Sequence, residues 1–223
     1  MSELWVFGYG SLMWRPGFDH AEARPATLHG YRRCFCIYSV HHRGSAARPG
    51  LVLGLDRGGS CRGMAFRVPP AQARATLAYL RAREQVNGVY RETAVPLSID
   101  GISQPLLGLA YLAERAHPSF TGPLSITRQA HIIRAARGLS GANFEYLANT
   151  LEHLSALGLR ERELERVAVL AGSIFCRGGG NARRSRIEGL VAACQGERVI
   201  APRLRVTDRR RFMHRIGQGA RTG

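Results

Sequence analysis

Lysine is absent from this sequence, and all 32 of its basic residues are arginine. An absence this complete indicates a bias in genome composition, so the number of arginines does not by itself point to a guanidinium-specific function. Acidic residues are also few, 16 in all, and the formal net charge is +16 at pH 7. A charge of this size attracts polyanions or small anionic molecules.

Long hydrophobic runs and export signals are missing as well. No apolar stretch approaches the roughly 18 residues that a transmembrane helix needs. The N-terminus lacks the basic region and the cleavage site of a signal peptide. We therefore expect a cytoplasmic protein with no membrane partner. A chain of 223 residues that is 45% hydrophobic and 22% charged is typical of a globular protein with a buried core.

Cysteine motifs that would indicate a metal or disulfide framework are also absent. The five cysteines form no CxxC pair. The alternation in the tripeptide CFC places Cys34 and Cys36 on the same face of a strand. These features favour reduced, mostly buried thiols over a zinc site or disulfides. The adjacent His41 and His42 would point to opposite faces of a strand, which argues against a joint metal site.

Strand-forming sequence dominates the first 115 residues. Apolar and β-branched runs are separated there by short segments rich in glycine, aspartate and serine, which are typical of turns. The pattern predicts strands over residues 4–10 and 26–40, a hairpin over 49–69 with its turn at Asp56–Ser60, and a hairpin over 89–113 with its turn at Asp100–Gly101.

Helical periodicity appears between the two hairpins and throughout the second half of the chain. The predicted helices cover residues 71–86, ended by Asn87-Gly88; 126–137, capped by Ser125; 144–158, capped by Asn143; and 161–174. These elements predict one α+β domain over residues 1–175. Residues 176–223 form a Gly/Arg-rich basic extension that we expect to be partly flexible.

A carboxylate interrupts the apolar stripe of the first predicted helix. Ala73, Leu77 and Leu80 repeat at spacings of four and three, and the next position on that stripe is Glu84. Burial disfavours an ionised carboxylate and raises its pKa. A carboxylate kept basic in this way suits general-base chemistry. The structural alternative is that Glu84 reaches solvent at the helix end, or pairs with an arginine such as Arg91.

The segment FGYGSL near the N-terminus breaks a strand with two glycines. It lacks the Lys-Ser/Thr of a P-loop and the third glycine of a dinucleotide fingerprint. It also lacks the G-x-S-x-G spacing of a nucleophile elbow, since Gly10 directly precedes Ser11. Two readings remain open. One is a loop whose glycines let backbone N–H groups approach a ligand closely, with the Ser11 hydroxyl beside them, and the other is an ordinary turn.

Taken together, these segments resemble the ChaC-type (glutathione-specific) γ-glutamylcyclotransferase family. The resemblance covers roughly residues 4–172 and rests on the segments VFGYGSLMWRPGF, RPGLVLGLDRGGSCRGMAFRV, YLRAREQVNGVYRE and SGANFEYLANT. It implies a γ-glutamylcyclotransferase-like fold, a small mixed β-barrel flanked by helices. It also implies cleavage of glutathione to 5-oxoproline and cysteinylglycine, with neither a metal nor an organic cofactor, and it leaves open whether another γ-glutamyl compound is the preferred substrate.

The resemblance also assigns roles to particular residues. Glu84 matches the family's catalytic glutamate, and Tyr146 stands where related enzymes keep a substrate-binding tyrosine. The γ-glutamyl group is expected to bind the loop formed by Val6, Phe7, Gly8, Tyr9, Gly10 and Ser11. The segment QVNGV at 85–89 departs from the family's pattern, which leaves the preferred substrate less certain than the type of reaction.

A nucleic-acid- or polyanion-binding protein is the alternative function. It would use the basic body and the tail from Arg203 to Gly223, which contains seven arginines and one aspartate. Aromatic residues are not interleaved with the arginines as a stacking surface requires, and no nucleic-acid-binding motif is present. The sequence therefore favours a small-molecule enzyme over a nucleic-acid partner.

Overall fold

The computed structural model describes residues 3–85 and 87–175, without the side chains of residues 173–175. Of these, residues 3–34 and 54–117 belong to a first compact unit, and residues 35–53 and 118–175 belong to a second. The single domain expected over residues 1–175 stays a prediction. The basic extension, with Cys176 and Cys194, lies outside the described residues.

A mixed β-barrel forms the sheet structure, as predicted. The strands are β1 (Leu4–Gly8), β2 (Glu22–Ser39), β3 (Gly50–Val68), β4 (Tyr90–Ile99) and β5 (Leu106–Ala113), with a short pair β6 (Arg137–Gly138) and β7 (Gly141–Ala142). The first five close into a barrel in the order β1-β3-β2-β4-β5. Strand β1 pairs antiparallel with β3 and parallel with β5, and the pairing of β2 with β4 and of β4 with β5 is antiparallel.

Strand β1 lies inside the barrel sheet, which explains its unbroken apolar sequence. Its neighbours on the two sides are β3, where Gly8 pairs with Met64, and β5, where Val6 pairs with Leu109. Trp5 is also buried. A strand with neighbours on both edges and buried faces needs apolar residues at successive positions rather than at alternate ones.

The hairpin predicted over residues 49–69 is wrong. Residues Gly50–Val68 form a single strand, β3, which runs straight through the predicted turn. Gly58 and Gly59 have positive φ angles of 99° and 73°, and residues 57–60 are exposed. The glycines thus accommodate a local change of conformation within the strand rather than a reversal of the chain.

The second predicted hairpin is confirmed. Strands β4 and β5 pair antiparallel from Tyr90–Ala113 to Leu97–Leu106, and the connection contains Asp100 and Gly101. Gly101 adopts a φ of 81°, which favours glycine at this turn.

The helices follow the predicted order with shifted ends. They are α1 (Ala73–Glu84), α2 (Ile126–Ala135), α3 (Asn143–Ala156) and α4 (Arg162–Phe175), and Pro70–Gln72 and Ser11–Met13 form single 3₁₀ turns. In the second unit α2, α3 and α4 pack against one another. No helix among the described residues is both long and apolar enough to cross a membrane.

One predicted helix cap is confirmed and another is wrong. The side chain of Ser125 accepts a hydrogen bond from the backbone N–H of Arg128 at 3.2 Å and caps α2. Asn143 does not cap α3 but is its first residue. Its Oδ1 accepts a hydrogen bond from the Leu51 N–H at 2.6 Å, and its Nδ2 donates one to the Leu51 C=O at 2.7 Å. Asn143 therefore connects two distant segments of the second unit. At the start of α3, the Glu145 carboxylate accepts a hydrogen bond from the N–H of Ala142.

A buried cluster in the first unit joins α1 to the barrel strands and to the turn after β1. It consists of Val6, Leu12, Val68, Leu80, Leu109 and Tyr111, with Leu4, Phe18, Leu77 and Tyr90 packed against it. Because β1, the 3₁₀ turn and α1 all contribute to it, this apolar cluster fixes the position of the FGYGSL segment relative to the end of α1.

Candidate active site

Glu84 is the last residue of α1 and lies on its buried face, as the periodicity predicted. Leu80, one turn earlier, is fully buried, and Thr76 is 4% exposed. The Glu84 side chain is 17% exposed. The helix thus ends in a largely buried carboxylate.

The partner of Glu84 is the preceding residue, Arg83. Arg83 Nε lies 3.1 Å from Glu84 Oε1. Arg91, the alternative partner considered from the sequence, pairs with Glu114 instead, with Arg91 Nε 3.9 Å from Glu114 Oε2. Burial raises the pKa of Glu84 above its usual range, and the attraction of the Arg83 guanidinium opposes this rise only in part.

The FGYGSL segment turns directly after β1. Strand β1 ends at Gly8, and the 3₁₀ turn begins at Ser11. A side chain at Gly8 would lie 3.1 Å from both Leu12 Cβ and Met13 N, so glycine at this position lets the turn close on itself. Gly8 therefore permits close packing within the chain, which fits an ordinary turn, and its predicted role in binding a ligand stays a prediction.

A buried arginine supports the turn from inside the unit. Arg33 is 5% exposed, and its Nε donates to the backbone C=O of Tyr9. Its Nη2 donates to the C=O of Arg62 at 2.6 Å. Hydrogen bonds between a charged donor and backbone carbonyls are strong when buried, so the backbone at Tyr9 is firmly held.

The turn and the glutamate meet through Arg83. Arg83 Nη2 donates to Ser11 Oγ at 3.0 Å, while Nε of the same guanidinium faces Glu84. Two residues far apart in sequence, both predicted to lie in the site, thus share one partner. The sequence analysis gave Arg83 no role. The only signal was its place beside Glu84 in the segment YLRARE.

Tyr111 is a second residue that the sequence pattern did not single out. It is 1% exposed, and its hydroxyl donates to Glu92 Oε2 at 3.2 Å. Arg81 holds the same carboxylate with two bonds of 2.8 and 2.7 Å. Burial, the charge of Glu92 and the charge of Glu84 all raise the pKa of Tyr111 above its usual range. Tyr111 therefore stays protonated, and it is electrostatically coupled to Glu84.

Tyr146 lies in the second unit, on α3, and is packed among residues of that unit. Its hydroxyl accepts a hydrogen bond from the Leu53 N–H at 3.5 Å. Its ring makes an edge contact with Phe35, with centroids 6.2 Å apart, and the Arg43 guanidinium lies 5.3 Å from its centroid. These contacts account for the residue structurally, and the substrate-binding role that the resemblance implies stays a prediction.

Three cysteines in the described part of the chain are buried, as the sequence analysis expected. Cys34, Cys36 and Cys61 are buried thiols. Over residues 3–85 and 87–175, no group of three or more histidine, cysteine and acidic side chains is arranged to hold a metal ion. The candidate site consists of Glu84, Arg83 and the turn at Ser11, which the contacts of Arg83 bring together.

The chain is similar to known proteins over most of its length. A family model described as ChaC-like protein matches residues 4–172. Glutathione-specific γ-glutamylcyclotransferase 1 of Mus musculus is 38% identical over 177 residues, which cover 77% of this chain and 79% of the mouse protein. The glutathione-specific γ-glutamylcyclotransferase of Escherichia coli is 33% identical over 166 residues, covering 74% of this chain and 71% of the bacterial protein.

The fold has a counterpart among solved structures. A crystal structure of a γ-glutamylcyclotransferase specific to glutathione from yeast superposes with a TM-score of 0.70 and covers 78% of this chain and 99% of the yeast chain. At 24% sequence identity this likeness concerns the fold alone. The family match, which spans almost all of the described residues, confirms the resemblance inferred from the motifs: the chain belongs to the ChaC-like family.

Proposed function

We propose that this protein is a glutathione-specific γ-glutamylcyclotransferase, which converts glutathione to 5-oxoproline and cysteinylglycine. The observation that carries the proposal is the placement of Glu84, a largely buried carboxylate of raised pKa joined through one guanidinium to Ser11 of the turn after β1. The mouse and bacterial relatives whose names give this activity are 38% and 33% identical to this chain over 177 and 166 aligned residues.

The reaction needs no second substrate. The α-amino group of the γ-glutamyl moiety attacks the γ-carbonyl carbon and forms the five-membered ring of 5-oxoproline. The amide C–N bond to cysteine then breaks, and the departing nitrogen takes up a proton. The enzyme must therefore remove a proton from an ammonium group, stabilise an oxyanion and return a proton to the leaving amine.

Glu84 suits both proton transfers. Its Oε1 lies 3.1 Å from Arg83 Nε. In this proposal the other carboxylate oxygen, Oε2, accepts a proton from the substrate ammonium and passes it to the leaving amine. A carboxylate of raised pKa is a stronger base than an ordinary glutamate, and general acid–base catalysis typically contributes about 10²–10⁴-fold to the rate.

Ser11 is a binding group and not a covalent nucleophile in this proposal. A nucleophilic serine needs an adjacent base to take its proton, whereas the partner of Ser11 Oγ is the Arg83 guanidinium, which is a donor. The backbone N–H groups around Tyr9, Gly10 and Ser11 are the proposed donors to the oxyanion. Removing one such donor typically costs about 10²–10³-fold in rate.

Binding the γ-glutamyl chain in a folded conformation supplies much of the catalysis. Ring closure is intramolecular, and well-oriented intramolecular reactions reach effective molarities of about 10⁵–10⁸ M. The segment from Val6 to Ser11 is suited to holding the substrate in this conformation, because strand pairing holds the backbone of β1 and Arg33 holds the backbone at Tyr9.

The direct test is turnover. The purified full-length chain is incubated with glutathione, and 5-oxoproline and cysteinylglycine are quantified by mass spectrometry. We expect equal amounts of both products, and a higher kcat/KM for glutathione than for γ-glutamyl-alanine. Absence of 5-oxoproline with both substrates would refute the activity. A higher kcat/KM for γ-glutamyl-alanine would keep the reaction and refute glutathione specificity.

The polyanion-binding alternative rests on the arginine-rich tail, which lies outside the described residues. It stays a prediction from charge. Salt-dependent retention on immobilised nucleic acid that is lost on truncation after residue 200 would support it.

A further inference from the structure

Arg83 makes more contacts in the candidate site than an ion pair with Glu84 alone. Besides Glu84 and Ser11, it reaches the chain that follows the turn: Nη1 donates to the backbone C=O of Arg15 at 2.8 Å and to that of Pro16 at 3.2 Å. The same Nη1 lies 3.0 Å from the Tyr79 hydroxyl. One side chain therefore connects the end of α1 to three positions along residues 11–16.

Only a guanidinium can make this set of contacts at once. Its five N–H donors point in different directions within one plane, and here Nε, Nη1 and Nη2 each bind a different group. A lysine ammonium carries its donors at a single point and cannot reach the three groups together. The Arg83 side chain is only 21% exposed, and its hydrogen bonds to Ser11 Oγ and to the Pro16 carbonyl are partly buried.

We propose that Arg83 is a positioning residue, which holds the proton-transferring Glu84 and the substrate-binding turn at Ser11 in one fixed arrangement. This inference rests on the proposed function for the identity of the reaction. In an intramolecular cyclisation the base must face the amine of the folded substrate, and a misplacement of about 1 Å can cost about 10²-fold in rate. Arg83 acts on the reaction through Glu84 and Ser11.

Arg83 also has an electrostatic effect that a purely structural residue would lack. Burial raises the pKa of Glu84, and the charge and the hydrogen bond of Arg83 lower it. Loss of the guanidinium therefore removes the opposing contribution, and the pKa of Glu84 rises further. Since Glu84 must be ionised to accept a proton, the acid side of the pH–rate profile moves to higher pH.

The test compares Arg83→Gln, Arg83→Lys and a matched control, Arg74→Gln. Arg74 lies on the exposed face of the same helix, away from the candidate site. For each variant, kcat and KM for glutathione are measured against pH, and the Glu84 carboxyl is titrated by ¹³C NMR. Circular dichroism and thermal melting report folding.

The expected results differ between the variants. Arg83→Gln lowers kcat/KM by about 10²-fold and raises the pH midpoint of the acid limb together with the NMR titration of Glu84. Arg83→Lys restores the midpoint, because it restores the positive charge, but kcat/KM stays at least about 10-fold low because the planar donor set is lost. Arg74→Gln matches the wild type.

Several outcomes would overturn the proposal. One is a folded Arg83→Gln variant whose rate or acid midpoint matches the wild type. If Arg83→Gln does not fold, Arg83→Lys decides, and wild-type kinetics in that variant would show that the guanidinium is not needed. If the wild-type protein itself releases no 5-oxoproline, the proposed function fails. The NMR titration then tests Arg83 separately. A higher pKa of Glu84 in Arg83→Gln than in the wild type supports the contact between Arg83 and Glu84, and an unchanged pKa refutes it.

Discussion

Replacing Glu84 by glutamine tests the central chemical claim with little change of shape. Glutamine has the same length as glutamate, and its Oε1 can still accept the hydrogen bond from Arg83 Nε. The substitution removes only the ability to take up and release a proton. We expect kcat to fall by about 10²–10⁴-fold, the range typical of general acid–base catalysis, or about 3–5 kcal/mol of transition-state stabilisation.

The stability of the same variant follows from the raised pKa of Glu84. Because the folded-state pKa lies above the unfolded-state value, the folded protein binds more protons between the two values. The free energy of unfolding of the wild type therefore decreases as the pH rises through that window. Glutamine resembles the protonated carboxyl and avoids this decrease. We expect Glu84→Gln to be at least as stable as the wild type at pH 8, with the difference closing below about pH 4.

The assay combines turnover, binding and unfolding. Release of 5-oxoproline gives kcat, calorimetry with glutathione gives Kd, and urea unfolding at pH 4 and pH 8 gives the stability difference. Glu114→Gln is the matched control, because Glu114 is a partly exposed carboxylate of the same unit that pairs with Arg91. It should leave turnover unchanged.

Two results would refute the reasoning about Glu84. If Glu84→Gln kept more than about a tenth of the wild-type kcat, Glu84 would not be the proton-transfer group. If the variant were less stable than the wild type at pH 8 but equal at pH 4, the ionised carboxylate would be stabilising. Burial would then not be the dominant effect on its pKa.

Three further predictions concern the surroundings of Glu84. Ser11→Ala should lower kcat/KM by less than about 10²-fold, since it removes one hydrogen bond, and loss of all turnover would instead indicate a nucleophilic serine. Gly63→Ala should destabilise the protein by about 1–3 kcal/mol and lower kcat/KM, because the added Cβ would lie 2.3 Å from the backbone oxygen of Gly8. The control is Gly58→Ala, where the added Cβ meets open space but the φ angle is positive, and this variant should lose stability without a change in kcat/KM. Glu92→Gln should destabilise the protein at neutral pH, because Arg81 holds the pKa of Glu92 below its usual range. That stabilisation is present above the unfolded-state pKa and is lost as the pH falls through the folded-state pKa, so urea unfolding should show the deficit vanish at acid pH.

Local patterns in the sequence predicted much of the architecture. The 3–4 spacing of apolar residues located α1 and placed Glu84 on its buried face, because a helix fixes which residues share a side. Asp100-Gly101 marked a true hairpin, and Ser125 marked a true helix start, because both depend on interactions within a few residues.

Contacts between distant segments decided the rest. The glycines at 58 and 59 have the composition of a turn, but pairing with neighbouring strands keeps β3 continuous through them. Asn143 has the chemistry of a helix cap, but its amide is used to bind the backbone of Leu51.

The candidate site shows the same division. The sequence by itself determined that a carboxylate enters an apolar face and that a glycine-broken strand end precedes Ser11. Tertiary structure decided that Arg83 joins them, because helix geometry within α1 cannot say which distant carbonyls and hydroxyls a guanidinium at its end will reach. Those contacts depend on how the apolar cluster packs α1 against the turn after β1.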